Sequence, residues 1–346
     1  MPKLLEFVRN PIAYIAARWT PSPRTVERAA LAALLMSILI VVTGGAVRLT
    51  GSGLGCDTWP KCSDDSLTAT SEMGVHGAIE FGNRMLTWVL SAAVGWTIIA
   101  VRSVKPARKG VSRLAWSQFW VVMSNAVVGG ITVWVKLNPF VVAGHFLAAS
   151  ALLTVTTLTW LRVREGDAPP RPLVGGPVRK LAGVLTFFAG CLMIVGTVVT
   201  GAGPHAGDSS DVKRMPVSVE LAAQTHAVFA WIVVVLALLL YAGLRVMDAP
   251  VGPRRTARNL ILVLLAQGLI GYVQYFNDMP ELLVGAHLLG STLVWIGVLR
   301  VLLSTRERAA LPAPSPQDGV RPTQAGAGPD RSSPDGADAP AAPVAG

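Results

Sequence analysis

Eight apolar runs divide the sequence, and each is close to the ~20 residues that a helix needs to cross the hydrocarbon core of a bilayer. The runs cover residues 29–47, 77–101, 114–135, 140–161, 181–200, 217–244, 259–276 and 282–303. Backbone inside lipid must form its hydrogen bonds within its own segment, so open sheets are excluded. Hydrophobic residues make up 52% of the chain and charged residues 14%, which is far from a soluble balance. We therefore predict an all-α integral membrane protein with eight transmembrane helices in a lipid bilayer.

Basic residues cluster in every second loop between the apolar runs. They are Arg102, Lys105, Arg108, Lys109 and Arg113, then Arg162, Arg164, Arg171, Arg179 and Lys180, and then Arg245, Arg254, Arg255 and Arg258. The positive-inside rule predicts that these loops and both termini are cytoplasmic, in a multi-pass protein of the cell membrane. The other loops carry acidic residues and are predicted to face outward: Asp57, Asp64, Asp65, Glu72, Asp208, Asp211, Asp278 and Glu281. Because the net charge of +10 is distributed over loops, we expect no nucleic acid partner.

The second half of the sequence repeats the first. Three pairs of residues take corresponding places: Asn125 and Gln267, His145 and His287, and Asn83 and His226. Asn125 stands 20 residues before His145, and Gln267 stands 20 residues before His287. Asn83 and His226 correspond because the stretch NRMLTW aligns with HAVFAW. Four spans per repeat is an even number, so both halves should have the same orientation about an axis along the membrane normal. The prediction is two pseudo-symmetric four-helix bundles.

The spans and the composition of the C-terminus divide the chain into five predicted segments. These are a cytoplasmic N-terminal segment (1–28), the first bundle (29–162), a cytoplasmic linker (163–180), the second bundle (181–303) and a disordered cytoplasmic tail (304–346). The tail is rich in Pro, Ala, Gly and Asp and has almost nothing to bury, so we expect no catalytic role for it.

Two histidines of the second bundle form a candidate metal site. His226 and His287 lie on the sixth and eighth spans, a similar number of residues from the predicted outer end of each helix. Two imidazoles that face each other inside an apolar bundle suit the axial ligation of haem iron. We therefore predict a haem held by both histidines, towards the outer face of the membrane. A hydrogen-bonded packing role is the alternative for any single intramembrane histidine.

The first bundle offers only one histidine at the corresponding places. His145 matches His287, but Asn83 stands where His226 would be matched, and asparagine is a poor ligand for iron. Two interpretations stay open: His76 supplies the second nitrogen, or His145 alone holds a haem. His76 lies seven residues before Asn83, which is about 10 Å along the helix axis and therefore not a simple replacement.

A carboxylate shares one helix face with these residues. Glu80 lies between His76 and Asn83, and its counterpart in the second half is Ala223. A carboxylate within a membrane helix is costly and is usually paired or functional. Arg84, four residues along, is well placed for a structural ion pair. The functional alternative is an acid/base or charge-stabilising group beside a substrate in the first bundle.

Two cysteines lie in the first outward loop, in the stretch GLGCDTWPKCSDD. An oxidising compartment would allow Cys56 and Cys62 to form a disulfide that closes this short loop, and two free thiols are the alternative.

Taken together, these motifs resemble one known family. The stretches TGGAVRLTGSGLGC and IEFGNRM, the four-plus-four repeat and the placement of three intramembrane histidines are similar to haem A synthases, the Cox15/CtaA family. The similarity covers residues 29–303. It implies an oxidoreductase that converts the C8 methyl of haem O to a formyl group in successive hydroxylations. The oxygen would come from water, and the product haem A would serve cytochrome oxidase.

The resemblance also implies roles for single residues. The family's haem b ligands carry over onto His226 and His287, and Glu80 matches the glutamate implicated in catalysis. The substrate haem O would lie in the first bundle, against the following ligand or pocket residues: His145, His76, Asn83 and Arg84. The family's cysteine pair matches Cys56 and Cys62.

One departure from the family concerns the substrate site. The family pattern E-x-x-H-R reads here Glu80-Phe81-Gly82-Asn83-Arg84, so the histidine of the pattern is missing. The resemblance further suggests the haem O synthase as a partner, because that enzyme makes the substrate. A dihaem b-type cytochrome that only transfers electrons is the main alternative function. A transporter built from parallel repeats is less favoured, because the prolines lie at the starts of spans and not near their middles.

Overall fold

The computed structural model describes residues 8–208 and 212–309. Within them it contains nine complete α-helices: α1 (Pro11–Arg18), α2 (Pro23–Leu49), α3 (Gly74–Ser103), α4 (Lys109–Trp134), α5 (Pro139–Arg162), α6 (Gly176–Ala202), α7 (Val219–Val246), α8 (Val251–Phe276) and α9 (Glu281–Ser304). A 3-10 turn (Ser71–Met73) precedes α3, and the two-residue strands β1 (Arg171–Pro172) and β2 (Arg306–Glu307) pair antiparallel.

Helices α2 to α9 confirm the eight predicted spans. Each has 24 to 30 residues and an apolar segment long enough to cross a membrane. The helices extend past the apolar runs, most clearly in α8, which begins at Val251 although its apolar run begins at residue 259. The added turns carry Arg254, Arg255 and Arg258, and long arginine side chains can extend to a membrane surface while their backbone stays helical.

Polar residues just before several spans explain where those helices begin. The Ser22 side chain accepts a hydrogen bond from the Thr25 N–H at the start of α2. Asn138 caps α5 in the same way, and Ser218 caps α7. Each side chain satisfies one of the backbone N–H groups that a helix leaves without an intrahelical partner. Proline follows the cap in α2 and α5, where its fixed φ suits the first turn.

The spans pack as two rings of four helices. In the first ring α2, α3, α4 and α5 each contact the next helix, and α5 closes the ring on α2. The same order recurs in α6, α7, α8 and α9. The rings meet through α2 and α5 of the first and α6 and α9 of the second, and together they form one compact unit. The predicted pair of four-helix bundles agrees with this packing, while the symmetry axis and the segment boundaries stay predictions.

Separate apolar clusters fill the two rings and the seam between them. One cluster lies in the first ring around Val94 and Val122, and another lies in the second ring around Val233 and Leu240. A third cluster of Leu34, Val41, Leu153 and Ile296 joins α2, α5 and α9. Close to this seam the Trp295 indole N–H of α9 donates to the Thr154 hydroxyl of α5 over 2.8 Å. The bundles are therefore attached to each other by apolar packing as well as by a partly buried hydrogen bond.

The end of the molecule that carries most basic residues, called here the basic end, is held by a buried arginine. Arg108 is 7% exposed; its guanidinium bonds to the Asp167 carboxylate over 2.9 Å and to the Val163 carbonyl over 3.1 Å. Strand β2 pairs with β1 here, so the predicted linker and the first residues of the predicted tail contact each other. Residues 310–346, which make up most of that tail, lie outside the described residues.

The loops at the opposite end, called here the disulfide end, join the two bundles. The Gly53 N–H donates to the Gly207 carbonyl over 2.7 Å, and Ser52 forms a backbone bridge with Asp208. The Arg48 guanidinium of α2 also donates to the Thr200 carbonyl of α6 over 2.8 Å. These contacts fix the first loop of each bundle against the other. Asp211, which we predicted to face outward, lies outside the described residues.

Candidate functional site

Two imidazoles face each other inside the second bundle. His226 on α7 and His287 on α9 belong to helices that lie diagonally across the ring, and each is within two turns of its helix start. Their ring centroids are 6.2 Å apart, with 66° between the ring planes. The structure thus brings together the two residues that the sequence predicted as a pair.

The spacing of this pair suits an iron atom between the rings. A metal–imidazole nitrogen bond of about 2.0–2.1 Å puts the metal about 3 Å from the ring centre, so two opposed ligands have centres about 6 Å apart. The Nδ1 atoms of His226 and His287 are buried without a hydrogen-bond partner among the described residues. Buried polar atoms are usually satisfied, and an orphaned one indicates an absent ion, water or cofactor. The residues therefore fit a haem held by two axial histidines.

A glycine on the neighbouring helix makes room for each ring. A Cβ added at Gly196 of α6 would lie 3.3 Å from His226 Cε1, and one at Gly271 of α8 would lie 3.4 Å from His287 Cε1. Both distances are tighter than, or at the limit of, ordinary carbon contacts. A larger residue at either place would press on the imidazole, so these glycines help to set the ring positions.

His145 has the same surroundings in the first bundle as His287 has in the second. It lies in the second turn of α5, and its Nδ1 is buried without a partner in the described part of the chain. Gly129 of α4 backs the ring, since a Cβ there would lie 3.2 Å from His145 Cε1. Gly129 and Gly271 stand at the same spacing before their histidines, so the repeat could have revealed both. The sequence analysis missed them.

Asn83 is bonded to the first helix of its own bundle. The Thr43 hydroxyl of α2 lies 2.8 Å from Asn83 Oδ1 and donates to it. The same hydroxyl is 2.9 Å from the Leu39 carbonyl, and because it has one proton it donates to only one of these oxygens at a time. Thr43 lies in the motif VVTGG, but nothing in the sequence links it to Asn83, and the sequence analysis did not single it out.

His76 is bonded to the first loop. Its Nδ1 is 2.9 Å from the Oγ of Ser52, a fully buried serine. Gly55 packs on the backbone of His76, where an added Cβ would come within 2.4 Å of the carbonyl carbon. His76 therefore has a partner of its own and helps to seat the loop against α3. Its predicted part as a second iron ligand stays a prediction.

Glu80 is buried, and all of its acceptor contacts are with the chain itself. It is 6% exposed, and its Oε1 accepts from Arg84 Nε over 3.1 Å and from Arg84 Nη2 over 2.5 Å. Its Oε2 accepts from the Cys56 N–H over 2.7 Å. The ion pair that we considered as a structural role for Glu80 is thus present, and it extends to the loop. The arrangement fixes the carboxylate in one orientation at the disulfide end of the first bundle.

Arg84 continues this network into the loop. Its guanidinium donates to the carbonyls of Cys56, Thr58 and Lys61 over 3.3, 3.0 and 2.9 Å. The predicted disulfide between Cys56 and Cys62 is confirmed and closes the same loop. The Glu80–Arg84 ion pair on α3 and the disulfide therefore both constrain the same segment, residues 56–62.

An aromatic contact holds the loop on α4. The Trp59 ring lies over Gly130, where an added Cβ would come within 2.6 Å of it, and it makes an edge contact with Trp134 at 5.6 Å between centroids. Gly130 adjoins Gly129, which backs His145. The loop thus contacts α4 one residue along from the glycine that packs against the His145 ring.

Within the described residues there is no group of three or more His, Cys, Asp or Glu side chains that could hold a bare metal ion.

Comparison with known proteins decides the family. A family model described as COX15-CtaA, cytochrome oxidase assembly protein, matches residues 27–299. The chain belongs to the COX15-CtaA family. The match reaches from the first turns of α2 into α9 and so includes the three histidines with buried Nδ1 atoms, Glu80 and the disulfide loop.

Individual relatives within the family match over shorter stretches. The chain is 28% identical over 154 residues to "Heme A synthase" of Geobacillus thermodenitrificans, covering 43% of this chain and 46% of that protein. It is 27% identical over 173 residues to "Heme A synthase" of Exiguobacterium sibiricum, covering 48% and 56%. The chain spans about half the length of the curated relatives that it matches.

One relative carries a different name. "Protoheme IX farnesyltransferase" of Thermus thermophilus is 27% identical to the chain over 319 residues, which cover 84% of this chain and 50% of that protein. The likeness thus extends over most of this chain, whereas half of the Thermus protein lies outside it.

Proposed function

We propose that the protein is a haem A synthase, which oxidises the C8 methyl of haem O to a formyl group in successive steps with oxygen from water. Membership in the COX15-CtaA family and the names of the Geobacillus and Exiguobacterium relatives support this activity. The observation that carries the proposal is the facing pair His226 and His287, with ring centroids 6.2 Å apart, in a protein whose other bundle, over the described residues, has one histidine with a buried, unpartnered Nδ1, His145. Two unlike haem sites suit an enzyme with one resident haem and one haem substrate.

In this proposal the two bundles have different tasks. His226 and His287 hold a resident haem b, which supplies a one-electron redox centre when bound. The first bundle binds haem O, with His145 as its buried ligand and with Asn83 and Arg84 on the facing helix. The disulfide loop shields the substrate from water on that side through Trp59. Both haem sites lie nearer the disulfide end, which we propose to be the outer face, with both termini cytoplasmic.

Glu80 is the proposed catalytic residue. A carboxylate can accept the proton of an attacking water or stabilise positive charge as electrons leave the substrate. Arg84 and the Cys56 N–H hold it by three hydrogen bonds, which fix the direction of the carboxylate. The network thereby gives Arg84 the role of a positioning residue. Haem A formed in this way would serve the assembly of cytochrome oxidase.

A dihaem b-type electron carrier is the second candidate function. The His226–His287 pair would serve it equally well, but a carrier would be expected to have a second axial pair, and the first bundle has Asn83 bonded to Thr43 at that place. The haems bound to the purified protein discriminate between the two. We expect chromatography of the extracted pigments to show haem b together with haem O or haem A, after expression in cells that make haem O. Haem b alone would favour the carrier and contradict the synthase.

A supplier of haem O is the proposed partner. The named function of the Thermus relative is farnesyl transfer to protohaem, and only half of that protein is matched by this chain. We propose that a separate farnesyltransferase, the haem O synthase, passes its product to this protein in the membrane. Co-purification of the two proteins from mild detergent, with haem O retained in the complex, is the expected result. Separation of the two under all mild conditions would contradict a stable complex.

A further inference from the structure

The two bundles support their central residues by the same rule, with one exception. In each bundle a residue of the first helix contacts a central residue of the second helix. In the same way, a residue of the third helix contacts a central residue of the fourth. The backing pairs are Gly196 with His226 and Gly271 with His287 in the second bundle, and Thr43 with Asn83 and Gly129 with His145 in the first. Three pairs combine glycine with histidine. The fourth combines threonine with asparagine.

The exceptional pair differs from the others in how it uses space. At the matching place in the second bundle, Gly196 leaves room for the whole imidazole of His226. A Cβ added at this glycine would lie 3.3 Å from the His226 ring. In the first bundle the smaller Asn83 is accompanied by the larger Thr43, so the volume is divided differently between the two helices. Interiors are close-packed, and a large residue on one helix is commonly matched by a small one on its neighbour. Thr43 and Asn83 therefore behave as a unit that replaces Gly196 and His226.

A hydrogen bond fixes this unit. The Thr43 hydroxyl lies 2.8 Å from Asn83 Oδ1 and 2.9 Å from the Leu39 carbonyl, so its one proton is shared between an acceptor on α3 and one on its own helix. The amide oxygen of Asn83 thus has a donor partner, and its amide nitrogen keeps the chemistry of a hydrogen-bond donor. An amide tied in this way is not a ligand for iron, but it can bond to a small molecule. Water suits either end of the amide, because water both donates and accepts.

We propose that His145 is the sole protein ligand of the haem in the first bundle, and that Thr43 and Asn83 form the wall of a binding site for a small exchangeable ligand on the opposite side of the iron. The proposal rests on the proposed function, because it places a haem in the first bundle. The ligand class is a small polar molecule or anion, such as water or cyanide. The second bundle has no such site, because both axial positions are taken by His226 and His287.

The ligand site is tested on the purified protein loaded with haem b and haem O, using absorbance and electron paramagnetic resonance in the oxidised state. We expect one low-spin haem that ignores added cyanide and one high-spin haem that becomes low-spin as cyanide is added. Cyanide is the probe, since it binds ferric haem only where an axial position is open or exchangeable. The haem content, measured by extraction, shows that both haems are present in the sample.

Variants of the unit connect this behaviour to the two residues. Thr43→Val keeps the branched shape but removes the hydroxyl, so we expect the cyanide dissociation constant of the high-spin haem to change by about two- to tenfold, the size of one hydrogen bond. Thr43→Ser keeps the hydroxyl and should change it less. Thr186→Val is the matched control, because Thr186 of α6 bonds to its own helix at the Ala182 carbonyl over 2.8 Å. It should leave the constant unchanged.

The double variant Thr43→Gly with Asn83→His rebuilds the arrangement of the second bundle. We expect it to convert the high-spin haem to a low-spin haem that no longer responds to cyanide. Should this variant fail to fold, the wild-type titration still decides the matter.

Failure of the ligand site and failure of the proposed function give different results. Two low-spin haems that both ignore cyanide, in a wild-type protein that contains haem O or haem A, would contradict the single-ligand site alone. A protein that takes up neither haem O nor haem A in cells that make haem O contradicts the proposed function itself. An equal change of the cyanide constant in Thr43→Val and Thr43→Ser would overturn the part assigned to the hydroxyl.

Discussion

Replacing Glu80 by glutamine separates a catalytic from a purely structural carboxylate. The two side chains have nearly the same size, but glutamine carries no charge and offers one acceptor oxygen where glutamate offers two. In the structure both oxygens are used, Oε1 by Arg84 and Oε2 by the Cys56 N–H. The amide of glutamine can keep only one of these contacts, because its nitrogen donates and cannot accept.

The structural cost of this change follows from the lost contacts. A hydrogen bond to a charged group contributes about 1.5–3 kcal/mol, so loss of the Arg84 or the Cys56 contact should destabilise the protein by about 2–3 kcal/mol. The cost stays below the 3–5 kcal/mol of a fully broken buried pair. The reason is that Arg84 keeps its bonds to the carbonyls of Cys56, Thr58 and Lys61. The variant should therefore fold, with a lowered melting temperature and with the disulfide intact.

The catalytic cost is larger and is measured differently. Acid–base groups commonly contribute about 10²–10⁴-fold to a rate, so haem A formed per bound haem should fall by at least about 100-fold in Glu80→Gln. The assay is chromatography of extracted haems, normalised to the haem bound by the purified protein. Glu220→Gln is the matched control, since Glu220 lies exposed in the first turn of α7 and accepts a hydrogen bond from the Gln224 side chain. A near-normal ratio in Glu80→Gln, with lowered stability, would refute the catalytic role and leave Glu80 as a clamp of the loop.

Three further predictions concern the haem pair and the loop. Changing either His226 or His287 to alanine should abolish the cyanide-insensitive low-spin signal of haem b, and a signal that persists in both variants would contradict the axial assignment. Gly271→Val should move the His287 ring and lower haem b content, as measured by the pyridine haemochrome of the purified protein, whereas haem b content equal to that of wild type would contradict the backing role of the glycine. Removing the disulfide with Cys56→Ser and Cys62→Ser should destabilise the loop by about 2 kcal/mol, since the closed loop is short. If the loop of that variant is proteolysed at the wild-type rate, the stabilising role of the disulfide is contradicted.

The parts of the fold that follow from hydrophobic periodicity could be predicted. Eight apolar runs, the repeat and the alternation of charged loops are properties of composition and spacing, and the helices α2 to α9 agree with them. The disulfide could be predicted for a similar reason, because two cysteines six residues apart in one loop have few other partners. The spacing of His226 and His287 from the starts of their helices was enough to predict that they lie at one depth.

The contacts between helices could not be predicted from the sequence. Thr43 and Asn83 are 40 residues apart, and their hydrogen bond depends on how far α2 slides and rotates against α3. Periodicity tells which face of a helix is buried, but it does not tell which residue of the next helix is met there. Gly196 could not be predicted for the same reason, whereas Gly129 and Gly271 are marked in the repeat by their equal spacing before His145 and His287.

Irregular segments were also beyond the sequence analysis. The bond between His76 and Ser52 depends on the course of the loop, which has no periodic pattern to read. Strands β1 and β2 pair two short segments from distant parts of the chain, and their sequences carry no strand signal. The Glu80–Arg84 pair was foreseen as an alternative, whereas its extension to the backbone of residues 56–62 was not.

The most direct test of the account is whether the protein makes haem A in a host that makes haem O but has no haem A synthase of its own. Cells that carry the wild-type gene, cells that carry Glu80→Gln and cells without the gene are compared by chromatography of total extracted haem. The account predicts haem A in the wild-type cells alone, with haem O reduced in proportion. Unchanged haem O without haem A in cells whose membranes contain the folded, haem b-loaded wild-type protein would contradict it.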